Sequence, residues 1–156
     1  MIRPFSLSDL EFILQIENQS FPKSPYDWMT FLNLHTLYPE TFLVYVGANS
    51  GQEAKKILAY IVFSQDGHIL SIAVHPHHRG KGIGRELLQG AVKACPFKKV
   101  WAEVRRSNQG ARAFYSKLGF QTIGMVRNYY GNEDALIMES PSLDSPPPPL
   151  GKVERE

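Results

Sequence analysis

"HPHHRGKGIGRELL", residues 75–88, follows the alternating apolar run "HILSIAV" at 68–74 and leads into a segment with Ile83, Leu87, Leu88, Ala91 and Cys95 at helical spacing. A strand, a glycine-rich loop and a helix are therefore expected in that order. Such a junction leaves backbone N–H groups open at the positive end of a helix, a ready place for an anion. Arg79, Lys81 and Arg85 add charge suited to a pyrophosphate. The same residues would also serve a plain strand-to-helix turn with solvated cations. Two phosphate loops are excluded by spacing. A Walker loop needs Ser or Thr after its lysine and a GxxxxGK frame, and a dinucleotide fingerprint needs GxGxxG. Here the glycines are Gly80, Gly82 and Gly84, a GxGxG frame.

Outward from this junction the chain alternates strands and helices. A short strand is expected at 2–5, then a helix that Ser8 caps and Glu11 closes as a capping box, with Leu10, Ile13, Leu14 and Glu17 on successive turns. A second helix is announced by "SPYDW" at 24–28, with Ser24 as cap and Pro25 in its first turn, ending near Leu37. Apolar runs at 41–47, 56–64 and 68–74 read as an antiparallel meander. A third helix spans 82–94. "KKVWAEV" at 98–104 is a strand with Val100, Ala102 and Val104 on one side and Trp101 and Glu103 on the other. A fourth helix is expected over 109–118, capped by Ser107 or Asn108 and closed by Gly119. Strands at 120–126 and 134–140 complete a domain of residues 1–140. Residues 141–156, with four consecutive prolines, read as a tail that is flexible in solution.

Composition narrows the function classes. The 156 residues carry 17 Lys and Arg against 15 Asp and Glu, a net charge of +2, so a general nucleic-acid-coating role is not expected. The single cysteine, Cys95, precedes Pro96 at a helix end and reads as a small buried hydrophobe. No signal peptide and no transmembrane run is legible, so a cytoplasmic protein that is a monomer or weak dimer is expected. His75, His77 and His78 lack a spaced carboxylate or thiolate to complete a ligand shell, so no metal is expected.

"SIAVHPHHRGKGIGRELL" resembles the acetyl-CoA motif of the GNAT acetyltransferases, R/Q-x-x-G-x-G/A, met here by Arg79, Gly82 and Gly84. "WAEVRRSNQGARAFYSKLGF" and "NYYGNEDALIM" follow in order, and together they resemble the ribosomal-protein-alanine and broader protein N-terminal acetyltransferases. The resemblance covers about residues 1–140. It implies an α/β (α+β) fold with a mixed, mostly antiparallel sheet of about seven strands, splayed in the middle, and four helices on its two faces. It also implies acetyl-CoA as cosubstrate and a protein N-terminus or peptide, such as a ribosomal protein, as acceptor.

Carried onto this chain, the resemblance assigns acetyl-CoA binding to Ile72, Ala73, Val74, Arg79, Gly80, Lys81, Gly82, Ile83, Gly84, Arg85 and Asn108. Glu103 matches the family's general base, acting through water, and Tyr115 its general acid. On the residues alone, Glu103 could instead pair with Arg105 or Arg127, Tyr115 could be core, and Asn108 could simply cap a helix. Phe21, Tyr26, Tyr129 and Tyr130 are the candidates for the acceptor site, with surface packing as their other reading. Lys23 stands where the bacterial alanine-acetylating enzymes carry Trp, a departure that leaves a broader N-terminal acetyltransferase as open as a ribosomal-protein-specific one. Acetylation of a small amine or an internal lysine, and a non-catalytic CoA-binding module, are the competing functions. Cys95 lies on the wrong element for a nucleophile, so direct transfer is expected.

Overall fold

The computed structural model describes residues 1–47, 56–96 and 98–141. The proline-rich tail from residue 142 onward lies outside the described residues. In chain order the elements are β1 (Ile2–Pro4), α1 (Leu10–Ser20), α2 (Trp28–Leu37), β2 (Phe42–Val46), β3 (Ile57–Phe63), β4 (Ile69–Val74), α3 (Ile83–Ala94), β5 (Trp101–Arg105), α4 (Gln109–Lys117), β6 (Gln121–Val126) and β7 (Ala135–Glu139). Single 3-10 turns precede α1 and follow β4.

Two helix starts differ from the sequence expectation. Ser6 and Asp9, not Ser8 and Glu11, form the capping box, on the 3-10 turn ahead of α1. Asp9 is recruited because Arg3 of β1 donates two hydrogen bonds to its carboxylate, at 2.7 and 2.9 Å, a partner that local sequence does not reveal. Helix α2 is capped by Asp27, whose Oδ1 accepts from the Thr30 N–H at 2.9 Å, so Ser24 and Pro25 remain in the preceding loop.

The strands form two antiparallel sheets, ordered β1-β2-β3-β4 and β5-β7-β6. Alternation along β3 divides its side chains between two cores. Ala59, Ile61 and Phe63 meet the buried stripe of α3, Ile83, Leu87, Leu88, Ala91 and Val92, together with Val100, Ala102, Val104 and Tyr115. Tyr60 and Val62 meet Ile13 and Ile16 of α1 and Phe31 of α2 on the opposite face. Leu87 and Phe31 are fully buried, each worth roughly 1.5–3 kcal/mol relative to exposure. Cys95 is buried at the end of α3, as expected of a small hydrophobe.

The two sheets present edge strands to each other, β4 from one and β5 from the other. Among the described residues they touch through one isolated parallel bridge, His68 to Trp101, and no ladder extends beyond it. The expected splay is thus a seam pinned at one end. Gly67 sits at that pin: it has φ +90°, its carbonyl accepts from the Trp101 N–H at 2.9 Å, and a Cβ there would lie 2.4 Å from the Lys99 carbonyl oxygen. Gly67→Ala should therefore cost about 3 kcal/mol or more and lower Tm by several degrees in a thermal melt.

Candidate active site

The gap between the edges of β4 and β5 opens into a cavity of about 1480 Å³. Ile69 through Val74 line one side and Ala102 and Glu103 the other. Because, among the described residues, β4 pairs in a ladder only with β3, its outer backbone edge is available to a ligand with amides of its own. Arg79, Gly80, Gly82, Ile83, Gly84 and Arg85 close one end, and Asn108, Phe114 and Tyr115 bring α4 to the same space.

At the loop, Gly80 and Gly82 have φ of +81° and +85°, a region that side chains with a Cβ rarely adopt. Apart from the adjoining chain, no atom lies within 4 Å of where their Cβ would stand, so the glycines are required by backbone conformation and leave the loop surface bare. Gly82 is the N-cap of α3 and contributes no side-chain hydrogen bond, so the first N–H groups of this 12-residue helix face the loop without a capping side chain. Arg79 is held in place by its Nε bond to the Val74 carbonyl at 3.0 Å and its NH2 bond to Ser20 Oγ at 3.2 Å. Of the adjacent histidines, His75 caps the 3-10 turn that contains the other two, its Nδ1 accepting from the His77 N–H at 3.1 Å. Lys81 is exposed and does not line the cavity.

Glu103 and Tyr115 reach the cavity from β5 and α4. Glu103 opposes Ile137 across the β5–β7 ladder, and its side chain is 19% exposed. The Arg105 partner open to it in the sequence goes elsewhere: Arg105 donates to Glu133 at 3.1 Å and lies 4.0 Å over the Tyr130 ring. Glu103 Oε1 instead stands 3.9 Å from His68 Nε2, and His68 is stacked flat on Trp101 at the pinned end of the seam. A hydrogen-bonding interaction with Glu103, and that carboxylate's charge, hold the Tyr129 phenol above its ordinary value. Burial and the same charge act likewise on Tyr130. These two tyrosines therefore approach Glu103 from the β6–β7 turn, outside the lining of the cavity. Tyr115 is packed between Phe114 and Phe120, with ring centroids 5.3 and 5.0 Å away, and burial pushes its phenol well above the usual value. It keeps its proton across the physiological range. Asn108 fulfils its capping reading, Oδ1 accepting from the Ala111 N–H at 3.0 Å, and lines the cavity as well.

Residues 10–120, more than two thirds of the chain, match the acetyltransferase (GNAT) family. The chain is a GNAT acetyltransferase. It is 32% identical over 142 residues to a putative ribosomal protein bS18-alanine N-acetyltransferase of Bacillus subtilis, covering 88% of this chain and 92% of that one. It is also 32% identical over 156 residues to an N-alpha-acetyltransferase of Sulfurisphaera tokodaii, covering 90% and 92% of the two chains. The crystal structure of Ard1 from Thermoplasma volcanium superposes with a TM-score of 0.71 at 32% identity, covering 92% of this chain and 98% of that one. The acetyltransferase is accordingly an enzyme of the N-acetyltransferase kind with the expected GNAT fold, its seven strands divided into sheets of four and three and its four α-helices lying among the described residues.

Several residues around the acetyltransferase's cavity were not singled out from sequence. Glu17 and Ser71 line it, and the hydroxyl of the buried Tyr60 bonds to both. One signal was available, since Glu17 falls in register with Leu10, Ile13 and Leu14, where a carboxylate interrupts an apolar stripe. Phe21, Ser24 and Tyr26, from the stretch between α1 and α2, form the wall above Glu17. Phe21 and Tyr26 thus line the same cavity as Glu103 and Tyr115. Among the described residues no helix is long and apolar enough to cross a membrane.

Proposed function

We propose that this acetyltransferase moves the acetyl group of acetyl-CoA directly to the N-terminal α-amine of a protein or peptide within a ternary complex. The observation that carries the reading is the convergence of Glu103 and Tyr115, from different elements, on one cavity whose far end is the bare glycine loop. The site fits the cosubstrate. Open Cβ positions at Gly80 and Gly82, the uncapped α3 terminus and Arg79 and Arg85 suit a pyrophosphate. The unpaired edge of β4 at Ile72, Ala73 and Val74 suits an amide-bearing arm lying along it as an added strand. Lys81, exposed beside the loop, adds long-range charge.

Acetyl-CoA supplies the activated acyl carbon when bound. Glu103 takes, through a water, the proton that the attacking nitrogen sheds as its bond to that carbon forms. Tyr115 holds the proton that the departing sulfur takes up, so the amide and free thiol leave with protons balanced. Preference for an α-amine follows from its pKa of about 7.7–8.0 against about 10.4 for a lysine side chain, which makes the neutral nucleophile far more abundant near pH 7. Relatives named for an N-alpha and a ribosomal-protein-alanine activity support the same choice, and Tyr129 and Tyr130 beside Glu103 provide hydroxyls for the acceptor's first residues.

A panel of peptides with free and blocked N-termini, lysine-containing peptides and polyamines, read by release of CoA, tests the proposal. Free peptide N-termini, including one that begins with the bS18 sequence, should be consumed at least about tenfold faster than blocked lysine peptides at pH 7. Preference for polyamines or for blocked lysine peptides would overturn it.

A further inference from the structure

Glu17 is 2% exposed, deep for a carboxylate, and it lies at the meeting point of three parts of the site. Its Oε2 accepts from the backbone N–H of Tyr26, at 2.9 Å, on the wall between α1 and α2. Its Oε1 accepts from the Tyr60 hydroxyl of β3, which is also 2.8 Å from Ser71 Oγ of β4. One turn on, Ser20 of the same helix accepts from Arg79 of the glycine loop. The Tyr26 ring stands edge-on to Phe31, and Phe31 edge-on to Tyr60, with centroids 5.8 and 5.5 Å apart, so the carboxylate closes a ring of contacts that begins and ends at the wall. Burial and the Glu17 charge push the Tyr60 phenol far up, which keeps it a donor to that carboxylate.

A buried carboxylate is a poor choice for stability alone, because an apolar side chain of similar volume fills such a place at less desolvation cost. What an apolar residue could not do is fix the backbone of Tyr26 relative to β3 and β4 through a directional bond. Resting on the function proposed above, we propose that Glu17 is a positioning residue that holds the wall formed by Phe21, Ser24 and Tyr26 at the spacing required by a peptide acceptor. It acts on acceptor binding and leaves the cosubstrate side alone.

Glu17→Gln and Tyr60→Phe, each compared with wild type, test this. Gln keeps the shape but turns a donor toward one of two N–H or O–H groups, and Phe removes one donor while keeping the ring. For Glu17→Gln, KM for a peptide should rise about tenfold, as expected when a charge-assisted hydrogen bond is lost, with kcat changed by less than about threefold. Tyr60→Phe should move KM the same way by about threefold. CoA affinity by calorimetry, and kcat/KM for a small primary amine, should stay within about twofold of wild type. A residue that served the fold only would lower Tm and the active fraction, reducing kcat for every acceptor while KM stood still. That pattern, or an unchanged peptide KM in both variants, overturns the role of Glu17. A wild-type enzyme that prefers small amines to every peptide would overturn the proposed function and the peptide wall together. Peptide acetylation by wild type with unmoved KM in the variants overturns the role of Glu17 alone.

Discussion

Glu103→Gln is expected to lower kcat by about 10²- to 10³-fold while leaving CoA affinity and Tm close to wild type. The substitution preserves shape on β5, where the backbone pairing with β7 does not depend on the side chain. The side chain is partly exposed and its neighbours, His68 and Tyr129, are also at the surface, so the stability change should stay within about 0.5 kcal/mol. In the mechanism proposed above, what disappears is the acceptor for the proton released on attack. The remaining rate should then rise with the free-base fraction of the substrate amine and level off above about pH 8, where that amine has titrated. Initial rates at saturating acetyl-CoA, measured from pH 6 to 9, check this. A Gln variant with wild-type turnover across that range would remove Glu103 as the base.

Tyr115→Phe should reduce kcat by about 10²-fold, again with little effect on CoA affinity. The ring stays packed against Phe114 and Phe120, so the missing atom is the hydroxyl rather than the core contact. Burial raises the phenol, and the sign of that shift matters: an acid whose pKa rises holds its proton through the whole neutral range. Wild-type activity should therefore show no fall below pH 9 that is attributable to Tyr115. Any alkaline limb seen in that range should persist in the Phe variant. Unchanged kcat in Tyr115→Phe would return Tyr115 to a packing role.

Much of the architecture was legible because it rests on periodicity. The meander at 41–74, the amphipathic α3 and the alternation along 98–104 are local patterns, and each element forms within a few residues of where those patterns place it. The helix starts were less legible, since Asp9 closes the capping box of Ser6 while held by Arg3 of a neighbouring strand, and Asp27 prevailed over Ser24. In the site, GxGxG with flanking cations marked the loop, and strand alternation set Glu103 apart from Ala102 and Val104. Tyr115 had no such signature. Its spacing is that of a core aromatic, which it also is, and the role proposed for it depends on α4 being brought to the open side of β4.

The order of elements, the glycine loop and the face on which Glu103 stands were already determined by residue spacing, because backbone conformation and side-chain alternation are properties of neighbouring residues. The cavity, the pairing of Glu103 with His68 and Tyr129, and the bonding of Glu17 to Tyr26 and Tyr60 were decided by packing. They join residues as far apart as Glu17 and Tyr60, or Glu103 and His68, and no local pattern encodes where two sheet edges will part. Among the described residues the edges of β4 and β5 are bridged only at His68–Trp101, and beyond it backbone groups and side chains of distant segments share one space.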